Sequence, residues 1–211
     1  MVPKIIHIIT GPKATPLIKK CIQSWDILLE NGFEIKIWED DSILEFTSEF
    51  FPFALPALQN ARNHAEAADL ARYLIVYHFG GYYIDWDIQL LDKDRFLTLC
   101  DKNSDGFLIQ DPVNQTIASE CFSASSGEKY LFSLVDNIVY IYQNGFRDSI
   151  TTPFYSGPFR MREVYYFIKK SSKQNIEMVK DVFLYDYLEI RDMPKRDINV
   201  PMIHYWVHSW L

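Results

Sequence analysis

Residues 63–91, NHAEAADLARYLIVYHFGGYYIDWDIQLL, decide the fold, and the rest of the chain is read outward from them. They open as a helix: Ala68, Ala71, Leu74, Ile75 and His78 recur at three- and four-residue spacing, which makes one apolar stripe. Gly80 and Gly81 stop the helix, and their missing side chains let another group come close to the backbone. A short apolar strand follows and ends in Asp85 and Asp87. Residues two apart on a strand share a face. Where the strand gives way to a turn, both carboxylates can converge on one point. Side by side they repel, and each raises the other's pKa unless a cation sits between them. Oxygen ligands of this kind suit Mg²⁺ or Mn²⁺. On the helix, Asp69 and Arg72 are neighbours at a spacing of three. They form either an ion pair on a solvated face, worth less than about 1 kcal/mol, or part of the same site.

The runs Ala68-Asp69-Leu70-Ala71-Arg72-Tyr73 and Gly80-Gly81-Tyr82-Tyr83-Ile84-Asp85-Trp86-Asp87 together resemble the central signature of the family 32 glycosyltransferases. These enzymes carry a DXD sugar-binding region and include capsular polysaccharide transferases and fungal outer-chain mannosyltransferases. The glucosylating domains of large clostridial toxins share the pattern. The resemblance implies an α/β nucleotide-diphospho-sugar transferase fold (GT-A-like), with a single mostly parallel sheet flanked by helices and one catalytic domain over residues 1–211. It implies a Mn²⁺ or Mg²⁺ cofactor, a UDP- or GDP-sugar donor, and a glycan, lipid-linked or protein acceptor. The reaction would retain anomeric configuration, in polysaccharide or glycoconjugate synthesis. By the same resemblance Asp87 binds the metal directly, and Asp85 binds it through water or touches the sugar or ribose. Asp69 and Arg72 hold sugar hydroxyls, the guanidinium also reaching a phosphate oxygen, and Tyr83 lies beside the pocket. The sequence shows no obvious nucleophile, so the departing phosphate is expected to act as the base.

Composition agrees with one sizeable core: 211 residues, 48% hydrophobic and 16% aromatic. A net charge of −7 argues against a nucleic-acid or anionic-membrane binder. A nucleotide ligand stays open, since a bound metal supplies local positive charge. Cys21, Cys100 and Cys121 are odd in number and lack Cys-x-x-Cys spacing, which reads as reduced thiols in a cytoplasmic protein. No signal peptide is expected, and no apolar run approaches the length of a membrane span. Membrane association, if any, would be peripheral, at the inner face.

Residues 4–10, KIIHIIT, read as the first, central strand, ended by Gly11-Pro12. In the resembling enzymes this strand opens the nucleotide pocket, and Ile9 stands where an aromatic often stacks on the base. Residues 16–31 have helical periodicity with Gly32 as stop, and residues 33–38, FEIKIW, alternate as a strand. Strand, helix, strand at this spacing is a βαβ unit. Trp38, at the carboxyl end of that strand, either lines the nucleotide site or packs in the core. Asp41 or Ser42 is expected to cap a helix running to about Phe50. Residues 106–110 and 117–124 read as strands, residues 127–144 as an amphipathic helix. Within 117–124, Ser119 or Glu120 falls where related enzymes place a polar residue facing the donor sugar. Glu120 is a candidate for steadying positive charge there, or an exposed strand residue. Residues 152–158, TPFYSGP, resemble the family's Ser/Thr-Gly-Pro segment. Lys169, Lys170 and Lys173 form a basic patch, a solvated face or an acceptor or membrane contact.

The stretch 200–211, VPMIHYWVHSWL, is rich in site-forming residues. The family ends its catalytic domain with a similar His…Ser-Trp pattern that closes over the diphosphate. His204, with His208 as second choice, is expected to complete the metal site, since imidazole joins carboxylates around Mn²⁺. Ser209 and the Trp210 indole are candidate donors to the leaving phosphate; the alternative is an aromatic strand packed on the core. Two other readings compete. A haloacid dehalogenase-type phosphatase also uses Asp-x-Asp after a strand, but wants Thr or Val where Gln89 stands. A non-catalytic nucleotide-sugar or glycan-binding module would keep the fold without turnover.

Overall fold

The structure, a computed structural model, describes residues 1–11, 13–168 and 172–207. Its strands are β1 (Ile5–Ile9), β2 (Glu34–Trp38), β3 (Gly81–Ile84), β4 (Ile88–Leu90), β5 (Gly106–Asp111), β6 (Thr116–Ile117), β7 (Cys121–Ala124), β8 (Asn175–Met178) and β9 (Met202–His204). Its α-helices are α1 (Pro16–Gln23), α2 (Asp40–Phe50), α3 (Leu55–Gln59), α4 (His64–Phe79), α5 (Lys93–Lys102), α6 (Lys129–Gln143), α7 (Thr152–Tyr155), α8 (Pro158–Ile168) and α9 (Val179–Val182).

The main sheet has the order β2-β1-β3-β7-β5-β6, with β8 also on β5. β1 is parallel to β2 and β3; β7 is antiparallel to β3 and β5; β8 is parallel to β5, and β6 opposes it. Thus β2, β1, β3, β5 and β8 share one direction, which is the largely parallel sheet the sequence implies, with β7 reversed at its centre. One feature was not foreseen. A second sheet pairs β4 with β9, antiparallel, and sets Ile88 opposite His204. That pairing brings the far end of the chain to the Asp85–Asp87 turn.

Alternating strand residues feed two cores. Tyr83, Leu108 and Phe122 face α4 and α6, while Tyr82, Ile84, Phe107 and Ile109 face Trp25, Phe96 and Phe183. α4 lies between the sheet and α6, so nearly every residue from Ala68 to Val76 is buried, the polar ones included. Of the two readings of Asp69 and Arg72, the solvated face is therefore absent.

Local departures from the expected pattern have simple causes. Residues 16–31 break after Gln23, where the Ser24 hydroxyl accepts from the Leu90 N–H and the Trp25 indole donates to the Ile88 carbonyl; a 3₁₀ turn follows over Asp26–Asn31. α2 is capped two residues earlier than the first expected position, by Glu39, whose N–H is held by the Ser42 hydroxyl at 2.9 Å. The stretch 117–124 is not one strand: β6 and β7 are separate, and Ser119 and Glu120 sit in the connection. Gly81 must be glycine. Its φ is +108° and an added Cβ would lie 2.5 Å from the Ile5 carbonyl oxygen.

Candidate active site

The first turn of α4 is capped by Asn63, whose side chain accepts from the Glu66 N–H at 2.9 Å. One turn further, Asp69 and Arg72 point toward the carboxyl end of β3. Arg72 is 4% exposed and anchored on both sides, donating to the Ala68 carbonyl at 3.1 Å and the Ser119 carbonyl at 2.8 Å. Its guanidinium stands 3.6 Å from Asp69 and 3.4 Å from Asp85, and lies over the Tyr83 ring at 4.5 Å. Burial alone would weaken the cation, but Asp85, Tyr83 and Asp69 outweigh it, so Arg72 stays charged. Asp69 accepts from the Ser156 hydroxyl at 2.9 Å, yet burial still pushes its pKa up to about 6.

The two acids of the turn are treated differently. Burial raises Asp85 above the usual carboxylate range; Arg72 opposes the shift and Asp87 adds to it. Tyr83 donates to Asp85 at 2.6 Å. Burial also acts against Asp87, but His204 at 3.2 Å and the Val207 N–H at 2.7 Å outweigh it and hold this carboxyl low. His204 is in turn raised: its burial is overcome by Asp87, with Glu120 and Asp85 contributing. The ring of His204 stacks on Trp206 at 4.0 Å. Trp206 is in the left-handed region (φ +46°), and the chain there turns Val207 back onto Asp87. Glu120 comes within 3.8 Å of His204, and burial raises its pKa.

These groups line a cleft of about 500 Å³ that also touches Asp111, Asn114, Thr116, Phe159 and Tyr187. Among the described residues, Asp69, Asp85, Asp87, Asp111 and Glu120 face only Arg72 and His204 as basic groups within it, so the cleft is short of positive charge. One ligand atom each from Asp85, Asp87 and His204 fall within 4.8 Å of one another. His204 Nδ1 is buried with no hydrogen-bond partner among the described residues. Two carboxylates and an imidazole with an unsatisfied nitrogen suit Mn²⁺ or a similar divalent cation, so these residues fit the metal.

The structure thus brings together Asp69, Arg72, Asp85, Asp87, Glu120 and His204. Tyr83, expected beside the pocket, is only 1% exposed and is not among the residues lining the cleft; it donates to Asp85 and its ring lies under Arg72. Trp38 belongs to the core. It packs on Phe46 and Phe79 and donates its indole N–H to His7 Nδ1 at 3.2 Å, away from the cleft. Ile9 lines a separate cavity of about 430 Å³ with Asp40, Ile43, Asn63 and Ala68, across the start of α4 from the cleft. His208, Ser209 and Trp210 lie outside the described residues, as do Lys169 and Lys170. Sequence reading missed Ser156, Trp206 and the Val207 amide. A signal existed for the first: Gly157 follows Ser156 because a Cβ there would meet Asp69 Oδ2 at 3.3 Å and Pro153 Cα at 3.0 Å.

The fold is similar to that of glycosyltransferases of known structure. The PaToxG glycosyltransferase matches with a TM-score of 0.57 at 16% identity, over 80% of this chain and 70% of that one. A glycosyltransferase involved in glycosylation of the major capsid of PBCV-1 matches with a TM-score of 0.55 at 11% identity, over 95% of this chain and 92% of that one. At such identities the likeness is one of fold. Residues 16–104 match the family described as glycosyltransferase sugar-binding region containing DXD motif. Among curated relatives, inositol phosphoceramide mannosyltransferase 1 of Schizosaccharomyces pombe is 27% identical over 52% of this chain, and inositol phosphoceramide mannosyltransferase 3 of the same yeast 25% over 74%. Mannosyl phosphorylinositol ceramide synthase SUR1 of Saccharomyces cerevisiae is 33% identical over 41% of this chain. The chain spans only 33%, 43% and 23% of those three relatives. The family match includes Asp69, Arg72, Asp85 and Asp87 but ends before Glu120 and His204.

Proposed function

We propose that this chain transfers a sugar, with retention of configuration, from a nucleoside-diphosphate sugar to an acceptor hydroxyl. The observation that carries the reading is the convergence of Asp85, Asp87 and His204 beside the buried Asp69–Arg72 pair in one cleft. Asp85, Asp87 and His204 would hold a divalent cation, which neutralises the charge that builds on a departing diphosphate. The chain's own residues do the rest. Asp87, kept ionised by His204 and the Val207 N–H, would be the stronger ligand; Asp85, held by Tyr83 and Arg72, would serve the metal or the sugar. Asp69, aligned by Ser156, accepts from a sugar hydroxyl, and Arg72 fixes it and reaches toward phosphate oxygens. Glu120 steadies positive charge developing on the sugar. The nucleoside extends across the start of α4 into the cavity under Ile9. The curated relatives' names favour mannose as the sugar, and hence a GDP- or UDP-linked donor with a glycan or lipid-linked acceptor.

The test is a thermal-shift screen of nucleotide sugars with Mn²⁺, followed by release of free sugar from the donor that binds. A Mn²⁺-dependent shift with slow release of sugar supports the reading. Binding without any release over hours makes the chain a binding module instead. Absence of any Mn²⁺-dependent nucleotide binding removes the reading altogether.

A further inference from the structure

The β5–β6 hairpin divides two cavities. Asp111 and Asn114 face the catalytic cleft, Gln110 and Gln115 line a second cavity of about 630 Å³, and Thr116 borders both. The hairpin tip is stiff: Asp111 accepts from the Val113 N–H at 2.8 Å and from the Asn114 side chain at 2.7 Å. Gln115 sits at φ +53°, with its carbonyl taken by Arg162 at 2.8 Å. The opposite wall is a single face of α8. Phe159 lines the cleft, while Arg162 and Tyr166, three and seven residues on, line the second cavity. A molecule reaching into the cleft can therefore continue along α8 past the hairpin.

The second cavity has a different chemistry from the cleft. Glu163 at its rim is paired with Arg160 at 2.7 Å. Arg162 has no carboxylate partner among the described residues; beyond the Gln115 carbonyl it meets only the Phe159 ring at 5.3 Å. An uncompensated guanidinium in a chain of net charge −7 stands out. Beside it are the planar amides of Gln110 and Gln115 and the ring of Tyr166, which is 59% exposed. Amides and an open aromatic face suit the hydroxyls and apolar face of a polyol ring, and a free guanidinium suits an anion. Away from the cation that would hold the donor diphosphate, the acid-rich cleft would repel an anion but accept a hydroxyl.

We propose that this second cavity is the acceptor subsite, and that it takes a polyol bearing a phosphate, hydroxyl toward the cleft and phosphate on Arg162. The proposal rests on the glycosyltransferase reading of the cleft. Mannose 6-phosphate, mannose and inorganic phosphate serve as probes, titrated calorimetrically in EDTA to keep divalent cations out of the cleft. Mannose 6-phosphate should bind about tenfold tighter than mannose, as expected for one arginine–phosphate contact. Arg162→Gln should erase that difference, and Tyr166→Ala, at an exposed position, should weaken both sugars. Equal binding of the two sugars, inorganic phosphate binding as tightly as mannose 6-phosphate, an unchanged Arg162→Gln or Tyr166→Ala, or no binding of any probe would each overturn the proposal. A separate arm, the wild-type chain with Mn²⁺ and GDP or UDP, reads the donor site alone. Failure there sinks the glycosyltransferase reading, whereas failure of the sugar-phosphate arm alone sinks only the subsite.

Discussion

Replacing Asp69 by Asn should make the protein more stable at neutral pH while disabling it, and the size of the gain follows from burial. In the native state the Asp69 carboxyl titrates at about 6, against an ordinary value of 3.8, because burial outweighs Arg72 and Ser156. Between those two values the folded chain keeps a proton that the unfolded chain has lost. The folded state is therefore favoured by this group below its unfolded pKa, and the advantage is lost as pH rises through about 6. The shift of about two pKa units corresponds to roughly 3 kcal/mol. Asn has no proton to lose, so the stability of Asp69→Asn relative to wild type should climb by that amount from pH 4 to pH 7. Urea denaturation of both proteins at half-unit pH steps, in EDTA, measures the difference directly. A difference that stays flat to within about 1 kcal/mol across this range would mean Arg72 keeps Asp69 ionised throughout, and the reasoning would fail. The same variant should lose sugar transfer, since Asn cannot supply the charged acceptor that Ser156 and Arg72 align. A residue that destabilises the fold where the protein would work is kept for its chemistry.

Asp87→Asn should abolish any Mn²⁺-dependent thermal shift; a shift that persists would mean the metal is misplaced. His7 slopes the other way from Asp69. Burial, with Lys36 adding, holds its pKa down to about 4 despite the Gly80 carbonyl, so its contribution is complete above about 6.5 and is lost as pH falls through about 4. His7→Gln should remove roughly 3 kcal/mol of acid sensitivity, read from the pH dependence of urea midpoints against wild type. Gly81→Ala should destabilise by more than about 2 kcal/mol, since both its φ and the Ile5 carbonyl oppose a Cβ; a midpoint within error of wild type would contradict the close approach of β1 to β3.

Local chemistry was readable from the sequence wherever partners lie within one helix turn or one strand. The order of β1, α1, β2, α4 and β3 and the glycine stop follow from spacing within residues 4–91, while the grouping of Asp69 and Arg72 with Asp85 and Asp87 came from the family resemblance. Trp38 was left open between site and core because nothing local reveals that its indole N–H finds His7 across the parallel β1–β2 pair. Ser119 and Glu120 were assigned to a strand because apolar residues run on both sides. The chain leaves the sheet there to put the Ser119 carbonyl on Arg72 and the Glu120 carbonyl on the Asp85 N–H at 2.9 Å. The β4–β9 sheet was not visible at all, since strands of three residues carry too little pattern to register.

The unforeseen small sheet explains why the two acids of one motif do not behave alike. Asp85 is served by residues near it in sequence, Tyr83 and Arg72, which balance a burial that still keeps its pKa high. Asp87 is served from the far end of the chain by His204 and the Val207 amide, which overcome burial and keep it ionised. Since β4 pairs Ile88 with His204 directly, the turn that presents Asp87 and the strand that presents its histidine cannot drift apart without breaking that ladder. A variant that disrupts β9 alone, such as Ile203→Pro on the strand opposite Gln89, should therefore weaken divalent-cation binding while leaving Asp69, Arg72 and Asp85 in place. Mn²⁺ titration of that variant, followed by tryptophan fluorescence, measures the loss. Unaltered affinity would show that Asp85 and Asp87 hold the cation without the second sheet.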